Sequence, residues 1–277
     1  MAAEMNNYKN KTVLITGASK GVGAETAKQF AKIGANIALV ARNEGPLKAL
    51  QKEINQYARA EVFTCDIGDL ASLETLVKDV IAIYGTIDVL VNNAGLHHRG
   101  DFEGLNPSQV TNMVQVNLTA PLTLSSLCLP YLKQSHSGAI VMPGSLAGRA
   151  PLQGAAVYSA TKAGLRAFSY ALFDELASHN VKVAVVSPGP INTGFIMDEI
   201  DDVEDIVYSQ PMSSSLDVAN AIVSLAINDK EEVAMPWFSG KLTTLAYLFP
   251  KLRRALRPLL YKIGAKAKLK YKSQTTK

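Results

Sequence analysis

Six short runs, TVLITG, NIALVAR, EVFTCD, IDVLVNNAG, AIVMPGS and VKVAVVSPG, are built almost without interruption from Val, Ile, Leu and Ala. A strand half-exposed to water alternates apolar with polar, whereas continuous runs belong to strands covered on both faces. Segments of helical length and period separate them, at residues 22–33, 44–57, 70–84, 107–133 and 152–179. Strands alternating with helices predict right-handed βαβ units and hence an α/β, Rossmann-type, doubly wound parallel sheet. EEVAMP, residues 231–236, is a candidate seventh strand, and a further helix is expected to begin near Ser215. No linker or repeat interrupts the pattern before residue 240. One domain is expected at residues 9–236, followed by a basic helical extension at 237–277.

Composition narrows the class of protein. At 277 residues and 48% hydrophobic, the chain buries one large core. Cys65 and Cys128 are too few and too far apart for a disulfide framework or a zinc site, and no metal site is expected. The first residues, MAAEMNNYKNK, lack a signal-peptide core, and no run reaches the roughly 18 apolar residues of a membrane span. A cytoplasmic protein is expected. The net charge of +4 conceals an asymmetry. From Lys241 onward there are eleven Lys and Arg and no acid, so the first 240 residues carry −7. An acidic body argues against nucleic acid as a partner.

In a doubly wound sheet, ligands bind beyond the carboxyl ends of the strands. The suspicious clusters all fall there. TGASKGVG follows the first strand: Gly17 suits a tight turn, Gly21 lets backbone approach a pyrophosphate, and Gly23 suits close helix–strand packing. The next helix then offers free N–H groups and a partial positive charge to phosphates. The spacing is GxxxGxG rather than GxGxxG, and glycines at such a turn also serve geometry alone. The second strand ends LVARN, without the acid that accepts the ribose 2′-OH of NAD. Arg42 stands near that place and Lys20 lies in the glycine loop, so two cations favour a 2′-phosphate and hence NADP; the alternative is a pair of solvated loop charges. Asp66 ends the third strand as an acceptor for an adenine amino group, and Asn93, in NNAG, ends the fourth.

The fifth strand leads to Ser145, a candidate hydrogen-bond donor to a substrate carbonyl. Thirteen residues later AAVYSATKAGLRAF places Tyr158 and Lys162 one helical turn apart, on one face. Together TGASKGVG, NNAG, the Asn of QVNLT, Ser145, YSATK and SPGPINT resemble the short-chain dehydrogenase/reductase family, in order and approximate spacing, over about residues 9–236. The resemblance implies a catalytic tetrad of Asn117, Ser145, Tyr158 and Lys162. It also implies NADP(H) contacts at Gly17, Gly21, Gly23, Asp66, Asn93, Tyr158, Lys162, Pro188, Ile191 and Thr193; Ser19, Lys20, Val22, Arg42 and Ile67 are further expected contacts of the cofactor. The implied activity is hydride transfer between the nicotinamide and a ketone or aldehyde, in a homodimer or homotetramer. MPGS departs from the two consecutive serines common in the family. The alternative is a catalytically silent nucleotide-sensing or scaffolding protein on the same fold.

The chemistry needs a tyrosine that ionises near neutral pH, against an ordinary pKa of about 10. An ammonium about 4 Å from a phenolate, at an effective dielectric near 20, favours it by roughly 4 kcal/mol. That corresponds to as much as about three pKa units before burial takes some back. Lys162 is therefore expected to lower Tyr158. Asn117 sits where a helix interior disfavours it, and the resemblance implies a kink there, with a water relaying protons to Lys162. His97 and His98 lack further ligands at metal spacing and are expected at the substrate mouth or in solvent; Cys65 and Cys128 are expected in the core. The acidic segment from Asp198 to Asp205 is a candidate lid, with Phe195, Ile196 and Met197 as its apolar underside. In the extension Leu242, Leu245, Phe249, Leu252, Leu256, Leu259 and Ile263 form a helical seam, which Pro250 and Pro258 are expected to break into pieces. The seam is expected against the protein's own surface, a partner subunit or an anionic membrane, the last consistent with a lipophilic carbonyl substrate.

Overall fold

The computed structural model describes residues 8–275. Its centre is a seven-stranded, wholly parallel sheet in the order β3-β2-β1-β4-β5-β6-β7. The strands are β1 (Thr12–Thr16), β2 (Asn36–Ala41), β3 (Ala60–Thr64), β4 (Val89–Val91), β5 (Ala139–Pro143), β6 (Lys182–Pro188) and β7 (Glu232–Met235). Every expected strand is present, including the seventh. Alternate residues of each strand serve opposite faces. Val13 and Ile15 of β1 pack with Phe30, Ile54 and Ile222, whereas Leu14 between them packs with Leu73, Leu124 and Leu165. Continuous apolar strand sequences are thus what two covered faces require.

The helices are α1 (Gly21–Lys32), α2 (Glu44–Ile54), α3 (Ser72–Tyr84), α4 (Pro107–Val114), α5 (Ala120–Gln134), α6 (Ala156–Leu176), the single turn α7 (Gly194–Met197), α8 (Ser215–Ile227), α9 (Trp237–Leu248) and α10 (Pro250–Thr275). The kink expected at Asn117 is present as a π-turn, Gln115–Thr119, which divides the helical pattern across 107–133 into α4 and α5. The helix expected from 152 begins at Ala156, because residues 151–155 form the approach to it. The sheet reverses direction of growth between β1 and β4, which are direct neighbours, with Val13 opposite Val89 and Ile15 opposite Val91. That reversal opens the crevice at the carboxyl ends of the strands.

The extension folds differently from its seam. Pro250 opens α10, where its missing N–H costs nothing. Pro258 lies inside α10, and the helix continues through it. The turns beyond Pro258 grip the acidic segment. Lys268 Nζ donates to Val203 O at 2.7 Å and pairs with Asp205 at 3.2 Å, and Tyr261 Oη donates to Glu204 at 3.1 Å. Gly264 makes this approach possible, since any Cβ there would collide with the carbonyl of Asp205. These contacts outweigh the proline's local penalty. They also leave the apolar seam outside: Leu242, Leu245, Phe249, Leu252, Leu256, Leu259 and Ile263 are all exposed.

Candidate active site

A cleft of about 710 Å³ runs along the carboxyl ends of β1, β2, β4, β5 and β6. Of the residues singled out from sequence, Gly17, Ser19, Lys20, Gly21, Val22, Arg42, Asp66, Ile67, Asn93, Ser145, Tyr158, Lys162, Pro188, Ile191 and Thr193 line it. Gly23 and Asn117 stand behind its wall.

The glycine loop forms one end. Gly17 takes φ +64°, and a Cβ on it would come within 2.8 Å of Ala94 Cα; a Cβ on Gly23 would strike Gly17's own carbonyl. Only glycine fits both places. Asn93 braces this turn: its Nδ2 donates to Thr16 O at 2.9 Å and to Gly17 O at 3.1 Å, while Thr16 Oγ1 accepts from Ala94 N–H at 3.0 Å. Asn93 therefore shapes the loop as well as facing the cleft, and Thr16, unmarked in the sequence reading, is its partner. The first turn of α1 has no side-chain cap from Lys20, so its N–H groups face the loop with the positive end of the helix dipole. That backbone fits a pyrophosphate. Arg42 and Lys20 are both exposed on the cleft wall, and Ala18 N–H to Val40 O, 3.1 Å, joins their two loops. Asp66 Oδ1 is held in a turn by Gly68 N–H at 2.9 Å, and Ile67 beside it is buried. Thr193 lies over Gly21.

At the other end, α6 carries Tyr158 and Lys162 inward. Lys162 is 6% exposed and Asn117 fully buried. Lys162 Nζ donates to Pro143 O at 2.8 Å and sits 5.8 Å from the centre of the Tyr158 ring. Burial lowers Lys162 to about 8. Burial raises Tyr158 above its ordinary value, and a hydrogen bond from Ser145 and the charge of Arg99 only partly offset this. The expected lowering of Tyr158 by Lys162 is therefore not found. The ammonium is turned to a backbone carbonyl, and desolvation of the phenolate prevails. Asn117 brackets the backbone of Leu96: its Oδ1 accepts from Leu96 N–H at 2.8 Å and its Nδ2 donates to Leu96 O at 2.7 Å. The π-turn aims the amide this way, and places it beside Lys162 across Gly95.

Three further side chains complete this end. His97 stacks on Tyr158, ring centres 4.4 Å apart, and Arg99 Nη1 donates to His97 Nδ1 at 3.0 Å. Arginine only donates, so the His97 proton is on Nε2, which is buried without a protein partner. Burial holds His97 down at about 3, so it stays neutral. Of the two readings for His97, the substrate mouth is the one the geometry supports. Arg99 also pairs with Glu199 at 2.7 Å and donates to Phe195 O, drawing the segment after β6 over the cleft. Phe195 lies 6.4 Å from Tyr158 between ring centres. Ile196 and Met197, expected as the rest of a lid's underside, join a small core with Val203, Tyr208 and Tyr271 of α10. Arg99 gave no signal in sequence, because its partners lie about a hundred residues away. Cys65, expected in the core, lines the cleft half-buried and contacts Ser72 Oγ at 3.3 Å; Cys128 is fully buried. Among the described residues, no group of three or more His, Cys, Asp or Glu is placed to hold a metal ion.

The comparisons with known proteins agree with this geometry. The family model for short chain dehydrogenases matches residues 11–204. A ketoacyl reductase of Nostoc, HetN, is 34% identical over 232 residues, covering 83% of this chain and 79% of its own. The 3-oxoacyl-[acyl-carrier-protein] reductase FabG of Escherichia coli is 30% identical over 227 residues, covering 80% of this chain and 92% of its own. A metagenomic short-chain oxidoreductase crystallised with NADP superposes with a TM-score of 0.71 at 29% identity, covering 82% of this chain and 97% of that one. The sheet order, the cleft and these matches agree: the chain belongs to the short chain dehydrogenase family, a family of oxidoreductases.

Proposed function

We propose that this protein is an NADPH-dependent reductase of ketones or aldehydes. The observation that carries the reading is the joint burial of Tyr158 and Lys162 on the cleft wall, with Ser145 lining the same cleft and Asn117 behind them. NADPH, when bound, supplies the hydride that reaches the carbonyl carbon. The Gly17–Gly23 loop and the uncapped start of α1 bind its pyrophosphate, and Arg42 and Lys20 take the 2′-phosphate. Ser145 orients the carbonyl oxygen. Tyr158 gives its phenolic proton to that oxygen as negative charge develops there. A phenol held above its ordinary pKa by burial is protonated throughout the neutral range, and so has the proton to give, although it is a weaker acid than one tuned to neutral pH. Lys162, cationic below about pH 8 and 5.8 Å from the centre of the phenol ring, offers the phenolate left behind a positive charge, though one too weak to overcome the desolvation that opposes ionisation. Asn117 fixes the loop at Leu96 that forms the floor under this proton path. The ketoacyl reductase relatives support a carbonyl as substrate.

The test is a panel of aldehydes, ketones and β-ketoacyl thioesters, scored by loss of NADPH absorbance. Turnover of at least one class is expected. NADPH binding without turnover of any would make the protein a nucleotide sensor or scaffold on this fold.

A further inference from the structure

Helices α9 and α10 carry an apolar surface that nothing in the described chain covers. Leu252, Leu256, Leu259 and Ile263 recur at steps of four, three and four, one face of α10, and each is at least 45% exposed. Trp237 and Leu242 of α9 are 69% and 59% exposed. The opposite face of α10 is engaged: Tyr261, Gly264 and Lys268 pack on the acidic segment before α8. The stripe is thus left outside a helix that is otherwise fixed in place.

Charge decides what covers it. Lys251, Arg254, Lys262 and Lys266 are exposed along α10, and no acid occurs anywhere after Glu232. A second copy seated on this stripe would bring these cations against their own kind with no carboxylate from either tail to neutralise them. A surface of anionic lipid headgroups neutralises them and takes the apolar side chains at the acyl boundary. No helix among the described residues is long and apolar enough to cross a membrane, so the arrangement is one of lying on the surface. We infer that the outer face of α9 and α10 docks this protein on an anionic bilayer.

Docking bears on the cleft. Asp202, Glu204 and Val207, from the segment that α10 grips, line its mouth. A docked α10 therefore stands between the lipid and that segment and holds the mouth about one helix diameter, roughly 10–12 Å, from the surface where a long-chain carbonyl partitions; this consequence rests on the reductase reading, whereas docking does not.

The experiment is sedimentation of the full chain with vesicles of equal parts phosphatidylcholine and phosphatidylserine, against pure phosphatidylcholine. Binding to the anionic vesicles only, falling steeply with salt, is expected. The triple variant Lys251→Glu, Lys262→Glu, Lys266→Glu should weaken it about fivefold or more per residue. Leu256→Glu with Leu259→Glu should weaken it at least about tenfold. Both variants should keep the wild-type melting temperature, since the altered residues are exposed. No binding to anionic vesicles at low salt would overturn the inference. So would equal binding to both vesicle types, or a dimer that Leu256→Glu with Leu259→Glu dissociates and that never binds lipid. Vesicle stimulation of a long-chain ketone's turnover, but not of a water-soluble one's, tests the consequence for the cleft separately.

Discussion

Glu232 is the carboxylate on which the far side of the cleft wall is fastened, and replacing it by Gln is informative. It sits on β7 with a side chain only 7% exposed, and takes hydrogen bonds from Arg149, from Arg166 at 2.9–3.1 Å, from Tyr170 at 2.8 Å and from Ser187 at 2.6 Å. Arg149 follows the Ser145 loop and also donates to Thr244 of α9 at 2.8 Å, so one carboxylate joins the loop after β5 to α6, β6, β7 and α9. Burial pushes Glu232 up, but its donors outweigh this and hold it at about 2. Glu232→Gln keeps the shape and leaves two guanidinium groups facing each other uncompensated. Breaking a buried pair in this way costs about 3–5 kcal/mol. For a chain of this length that lowers Tm by roughly 6–20 °C. The sign with pH follows from the lowered value. The stabilisation is complete above the ordinary Glu range and lost as pH falls from there toward 2. The difference between wild type and variant in urea unfolding should therefore shrink between about pH 7 and about pH 3. A difference below about 1 kcal/mol at neutral pH, or one that does not shrink in acid, would refute the reasoning.

Arg42→Asp should raise the Kd for NADPH by roughly 30- to 150-fold, about 2–3 kcal/mol, through a lost charge-assisted contact and a new repulsion. NADH binding should change little, and equal wild-type affinity for the two nucleotides would contradict the assignment. With Lys162 lowered to about 8, kcat/KM for carbonyl reduction should be level below that pH and fall above it as the ammonium is lost. A profile level to beyond pH 9 would count against a role for its charge, on the ordinary lysine value of about 10.4. His97→Phe should keep the stack on Tyr158 but remove the Nε2 proton from the substrate side, raising KM several-fold with kcat retained. Unaltered KM across the substrates turned over would remove His97 from the mouth.

The parts of this fold legible in sequence are those fixed by short-range pattern. The strands announced themselves because each is covered on both faces, and the cleft residues because they sit where strands end. What escaped depended on distant partners. Arg99 meets Glu199 and Phe195 only through the fold, and so does Glu232 meet Arg149 and Arg166. The π-turn at Asn117 leaves the helical period almost intact, so the kink there is legible only from a residue type that suits helix interiors poorly and from the family motif. Pro258 misled for a related reason: a proline's local penalty is visible in sequence, whereas the contacts of Tyr261, Gly264 and Lys268 that outweigh it are not. Spacing correctly gave Tyr158 and Lys162 a common face, but it could not tell that Pro143 O would take the ammonium.

The proton role of Tyr158 is tested most directly by Tyr158→Phe, which removes one oxygen from a ring already held between His97 and Phe195. Single-turnover reduction of the best carbonyl should slow by about 10²–10⁴-fold, the range for loss of a general acid. NADPH titration of the same variant should give a Kd within about threefold of wild type, a free-energy change well under about 1 kcal/mol. Reduction at the wild-type rate by the variant would contradict the account.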